Sequence, residues 1–92
     1  MAIQSSMELE AVLSRVGIKI EKYVAERGTW PLLEEAKRSI DQVLAVTRQP
    51  SKLKALREKL KSVSETLTTE VPKDGNLHED IWDVEDYFDY RL

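Results

Sequence analysis

The chain predicts an all-α fold. A small antiparallel three-helix bundle is followed by a short acidic C-terminal helix or tail, which becomes a fourth bundle helix if its apolar face docks. Three observations carry this expectation. Breakers are scarce, with 3 Gly and 3 Pro in 92 residues, while 34% of the residues are charged; that composition suits helices with charged outer faces. Apolar residues recur at alternating spacings of three and four, the period of one helix face and not of a strand. The connections between these stripes are short, which leaves consecutive helices antiparallel. A chain of this length forms one domain with a modest core.

The first helix is expected over about 6–27. Ser5 or Ser6 caps it, Glu8 and Glu10 lie in the first turn where the helix dipole favours anions, and Gly28 closes it. Its stripe is Leu9, Leu13, Val16, Ile20 and Tyr23. Gly17 interrupts a helix interior at a cost of roughly 1 kcal/mol relative to Ala, which suggests close approach of another helix or a slight bend. Residues 1–6 read as a flexible N-terminus, without the basic and apolar regions of a secretory signal.

The second helix is expected over about 31–47, with Thr29 or Trp30 before it and Pro31 in its first turn. Leu33, Ala36, Ile40, Val43 and Val46 form its stripe, and Pro50 ends it by pushing the preceding residue out of the α region. The third helix runs over about 51–67 with Ser51 as cap. Its stripe, Leu53, Leu56, Leu60, Val63 and Leu67, is the cleanest of all. The Thr-rich stretch Thr66–Thr69 weakens helix propensity, and residues 71–76 read as a loop. In residues 77–92, Leu77, Ile81, Val84 and Phe88 again share one face, with Asn76 as cap. Three Asp and three aromatics within 83–90 are poor helix formers, so this segment is expected to need a partner surface.

Little in the chain suggests chemistry, and no enzyme is expected. There is no cysteine, hence no disulfide, thiolate site or cysteine nucleophile, in keeping with a reducing, cytoplasmic setting. The single histidine, His78, stands beside Glu79 and Asp80; one His and two adjacent acids do not make a metal signature, and it reads as a solvated first-turn residue. No Gly-rich phosphate loop and no Ser–His spacing occur. No metal and no cofactor are expected. The longest apolar run, Val43–Val46, is far short of a membrane span.

Charge is unevenly distributed. Residues 51–62 carry Lys52, Lys54, Arg57, Lys59 and Lys61 against Glu58, a net of +4. Residues 79–90 carry Glu79, Asp80, Asp83, Glu85, Asp86 and Asp89 with no basic residue, a net of −6. Lys54, Arg57 and Lys61 share a face on a continuous helix and offer a basic contact surface. Nucleic-acid binding through it is disfavoured by the acidic whole and by the lack of interleaved aromatics.

The acidic end is the candidate partner-binding segment, through Trp82, Asp83, Asp86, Tyr87, Asp89 and Tyr90. Exposed rings give contact area at low entropy cost, and acids steer a basic partner. Two structural readings compete with it: a fourth helix whose Trp82 fills a gap, and docking of the −6 segment on the +4 helix. The expected function is a small non-enzymatic protein-interaction module that binds a basic protein surface, as an inhibitor, immunity-type protein, anti-activator or chaperone does. That likeness is one of size, charge and helix content alone. The alternative is a structural subunit or homo-oligomer of a helical complex.

Overall fold

Each amphipathic stripe finds its cover in the others. A computed structural model describes residues 3–92. They form α1 (Ser6–Arg27), α2 (Pro31–Leu44), α3 (Pro50–Ala55), α4 (Arg57–Glu70) and α5 (Gly75–Tyr90), with no strand among the described residues. Helix α1 packs on α2 and α5, α4 packs on the same two, and α3 leans on α4. One continuous apolar core results, drawn from every helix. The long dimension of the molecule is 35 Å, about the ~33 Å that the 22 residues of α1 span at 1.5 Å each. No helix among the described residues is long and apolar enough to cross a membrane.

Helix α1 starts as its sequence dictates. Ser5 Oγ accepts the Glu8 N–H at 3.2 Å, and Glu8 Oε2 accepts the Gln4 N–H at 3.0 Å, a reciprocal arrangement akin to a capping box. Residues 3–6 are not the expected free end, since Ile3 is buried in the core; Met1 and Ala2 lie outside the described residues. At the far end Gly28 takes φ 93°, which side chains disfavour, and donates its N–H to Val24 O at 2.9 Å. The sharp turn brings Trp30 edge-on to Tyr23, at 6.4 Å between centroids, and under the Arg27 guanidinium at 4.5 Å. Trp30 Nε1–H donates to Glu70 Oε1 of α4, so one indole ties three helices. Gly17 is a close approach: a Cβ there would stand 3.2 Å from Lys37 Cε and 3.6 Å from Ile40 Cγ2 of α2.

Four expectations in the middle of the chain are corrected. Helix α2 stops at Leu44, and Thr47 folds back on it; its hydroxyl donates to Glu10 Oε1 at 2.7 Å, beside Arg48 at 3.0 Å. Those two donors hold Glu10 below the usual carboxylate range. Pro50 does not only end the preceding segment but starts α3, because a missing N–H costs nothing at the first helical position; Gln49 before it lies outside the α region, and Ser51 is not the cap. The third predicted helix is two helices. Leu56, at φ −93° and ψ 7°, bonds back to Leu53 O and slips the ladder from i−4 to i−3. No Gly or Pro marks this break. Helix α4 then continues past Leu67 to Glu70, where Thr68 Oγ1 donates to Ser64 O and burial of Leu67 and Val71 overrides the weak propensity.

The C-terminal segment is a 16-residue helix and not a tail. Leu77, Ile81 and Val84 are fully buried and Phe88 is 5% exposed. Its cap is Asp74, whose carboxylate accepts the Leu77 N–H at 3.1 Å, so the helix starts two residues before the expected position. With α5 inside the core, Ile81→Ala is expected to cost about 3 kcal/mol. A thermal melt should show a loss of more than ~10 °C in Tm; a loss of only ~2 °C would remove α5 from the core.

Candidate functional site

The rotation of α5 about its axis is set by its four buried side chains, and this decides what its other side presents. Trp82, Asp86 and Tyr90 follow one another at four-residue spacing on the outward side. Trp82 is 50% exposed, Tyr90 83%, and Glu79 and Asp86 are exposed among them. Two aromatic rings thus stand in solvent within an acidic field. Asp83 is half-buried, on the flank where its charge acts on Arg15 of α1. Tyr87 is half-buried and packs against the core, so its ring contributes chiefly to structure. Asp89 is exposed and paired with Arg57 Nη2 at 2.5 Å.

The six predicted contact residues therefore separate. Trp82, Asp86 and Tyr90 form an outward stripe, with Asp83 and Asp89 on its two flanks and Tyr87 turned inward. The basic face comes apart: Lys54 belongs to α3, Arg57 and Lys61 to α4, and the break at Leu56 ends their common helical register. Docking of the acidic segment on basic residues occurs and is divided between α1 and α4. Arg15 grips Asp80 with two bonds of 2.8 and 2.7 Å, and Lys19 pairs with Asp74 at 2.9 Å. On the α4 side the pair is Arg57–Asp89. Exposed pairs of this kind contribute roughly 0–1 kcal/mol each, less than the buried face.

His78 is not a solvated residue. It is buried, with Nε2 2.9 Å from the carbonyl oxygen of Val71. A carbonyl only accepts, so Nε2 carries the proton and the ring bridges the turn that leads into α5. Its other neighbour is Trp82, whose ring centroid lies 5.9 Å away, so the histidine props the exposed indole from beneath. Wheel position explains the burial: His78 follows Leu77 and lies three and four residues before Ile81 and Trp82. Among the described residues no group of three or more His, Cys, Asp and Glu converges in a way that could hold a metal ion.

Asp74, absent from the sequence-level candidates, anchors the site. Its carboxylate receives the Tyr23 hydroxyl at 2.5 Å, Lys19 Nζ at 3.0 Å and the Leu77 N–H at 3.1 Å. Burial pushes its carboxyl up, but the bonds from Tyr23, Lys19 and Leu77 outweigh this and hold it at about 2. The same bond, aided by burial, lifts the Tyr23 phenol to about 12. The signal available in sequence was an Asp just ahead of a helical stripe; that Tyr23 and Lys19 meet it follows only from the packing of α1 on α5.

Comparison of the chain with protein-family models, with curated proteins and with solved structures finds no match.

Linkage makes the Asp74 cluster visible in solution. The Asp74 carboxyl sits at about 2 in the folded protein against an ordinary 3.8. Its stabilisation, about 2 kcal/mol, is therefore present above pH 4 and is lost as pH falls toward 2. Tyr23, raised from 10.0 to about 12, stabilises below pH 10 and ceases to as pH rises toward 12. Asp74→Asn keeps a good cap and is expected to flatten the acid limb of stability against pH, and Tyr23→Phe the alkaline one. Unfolding curves with unchanged acid and alkaline limbs would refute the cluster.

Proposed function

We propose that this protein is a non-enzymatic interaction module whose outward α5 stripe binds a basic protein surface. We read its architecture as a four-helix bundle of α1, α2, α4 and α5, with α3 as a short element on α4. The observation that carries the reading is the exposure of Trp82 and Tyr90 on either side of Asp86, on a helix whose opposite side is fully buried. A large ring left in water gains most when a partner desolvates it, and the surrounding acids select a basic partner and raise its encounter rate. The rings are carried on a helix that the core holds rigid, so binding incurs little ordering cost. An inhibitor or chaperone that covers a positively charged site fits these properties.

The test uses surface substitutions, because removal of the chain after Gly75 would strip Leu77, Ile81, Val84 and Phe88 from the core. Trp82→Ala with Tyr90→Ala is expected to leave Tm within a few degrees of the parent. It should abolish capture of a basic protein that the parent chain retains from lysate at low salt. Equal capture by both would move the binding surface elsewhere, and unfolding of the variant would assign the rings to the core.

A second reading, association with a second copy, is favoured by α1. Its outward side carries Met7 at 71% and Ile18 at 67% exposure, with exposed Ala11 and Ala25 along the same side. It predicts a sedimentation coefficient that rises across a roughly hundredfold range of concentration and becomes constant in Ile18→Glu. A constant value for the parent chain excludes it.

A further inference from the structure

Between α4 and α5 lies a cleft of about 310 Å3 whose lining includes Leu60, Phe88, Glu85 and Asp89, with Arg57 and Lys61 along the α4 side. Glu85 lines it half-buried, and its Oε1 is closed off from solvent and accepts no hydrogen bond from the protein. A desolvated carboxylate oxygen without a donor is costly and calls for an explanation. The arginine that lines the cleft does not satisfy it: Arg57 is committed to Asp89 at 2.5 Å. Glu85 and Asp89 sit three and seven residues beyond Trp82, so the cleft opens beside the aromatic stripe and continues the same surface.

We infer that this cleft is the socket for an arginine side chain of the basic partner, with the Glu85 carboxylate turning about its last side-chain bond to accept from the guanidinium and Leu60 and Phe88 forming the apolar floor. The inference rests on the interaction surface proposed above and names its specificity. Arginine suits the site better than lysine. Its planar, weakly hydrated head tolerates a half-enclosed cleft and stacks against an aromatic ring, whereas a compact ammonium holds its water shell. The volume is ample: at ~30 Å3 per water-sized group it exceeds the heavy atoms of one arginine side chain. Glu58 also lines the cleft, so three carboxylates face two cations and the local field still favours a third positive charge. The arginine would supply the donor that Glu85 lacks, and the interaction would gain from partial desolvation.

The experiment is a titration of the 15N-labelled full chain with N-acetylarginine N-methylamide, followed through backbone amide shifts. The lysine and citrulline counterparts serve as controls, since citrulline keeps the shape and loses the charge. Saturating shifts centred on Glu85 and Phe88 are expected, weakened roughly tenfold for citrulline and by Glu85→Gln. Lys61→Ala, which removes a competing cation, is expected to tighten binding. Glu85→Gln should melt no lower than the parent, because it keeps the shape of the side chain and replaces a carboxylate whose Oε1 has no donor by a neutral amide. Shifts that are equal in Glu85→Gln, that spread evenly over the α5 carboxylates, or that weaken in Lys61→Ala overturn the socket. The two readings fail separately. Loss of partner capture in the Trp82, Tyr90 double variant together with an unaffected Glu85→Gln titration rejects the socket alone. Retained capture together with a Glu85-dependent titration rejects the aromatic stripe alone.

Discussion

Burial of Leu77, Ile81, Val84 and Phe88 is the constraint from which most of this structure follows. These side chains lie on one side of α5, so covering them fixes the rotation of the helix, and that rotation leaves Trp82, Asp86 and Tyr90 outside. The energy is of the ordinary hydrophobic kind, about 1.5–3 kcal/mol for each fully buried aliphatic side chain, and exceeds what the exposed ion pairs along the same helix contribute. A segment rich in Asp and aromatics is a poor helix on its own propensity; here tertiary packing supplies the stability that propensity lacks.

Rotation leaves the axial position open, and polar contacts settle it. Asp74 caps α5 and at the same time receives Tyr23 and Lys19 from α1. A second tie, His78 to the Val71 carbonyl, braces the turn that leads into the helix. Further along, Arg15–Asp80 and Arg57–Asp89 pin α5 to α1 on one flank and to α4 on the other. Small energies suffice for this task because they choose among positions that the apolar face already permits. At the other end of α1, Trp30 plays the matching part by joining Tyr23, Arg27 and Glu70.

The functional proposal grows out of this division of labour. One side of α5 is committed to the core, its flanks are tied to neighbours, and the rest carries two exposed rings among acids. Internal ion pairs claim Asp80 and Asp89, while Glu79 and Asp86 stand exposed beside Trp82 and Tyr90. The cleft holding Glu85 adds a directional acceptor to an otherwise diffuse field, and a diffuse field by itself steers partners without specifying one.

Much of this was legible in the residues. The 3–4 stripes identify every helix face, and the Ser5 cap, the Gly28 stop and Pro31 at a helix start are local events that depend on a few neighbouring residues. So is the amphipathic split of α5, which separates Trp82 and Tyr90 from the buried side before any fold is known. The break at Leu56, the start rather than stop at Pro50 and the burial of His78 were not legible. Each is decided by what the rest of the chain places against it: α4 folding onto α2 and α5, α3 leaning on α4, and Val71 turning its carbonyl to the imidazole. The sequence alone determined which side chains must leave water, because hydrophobic periodicity is a property of neighbours along the chain. Only the tertiary structure decided which polar groups meet, Asp74 with Tyr23, and which do not, Glu85 Oε1 being left without a donor from the protein, because hydrogen bonds and ion pairs depend on distances between residues that the chain keeps far apart.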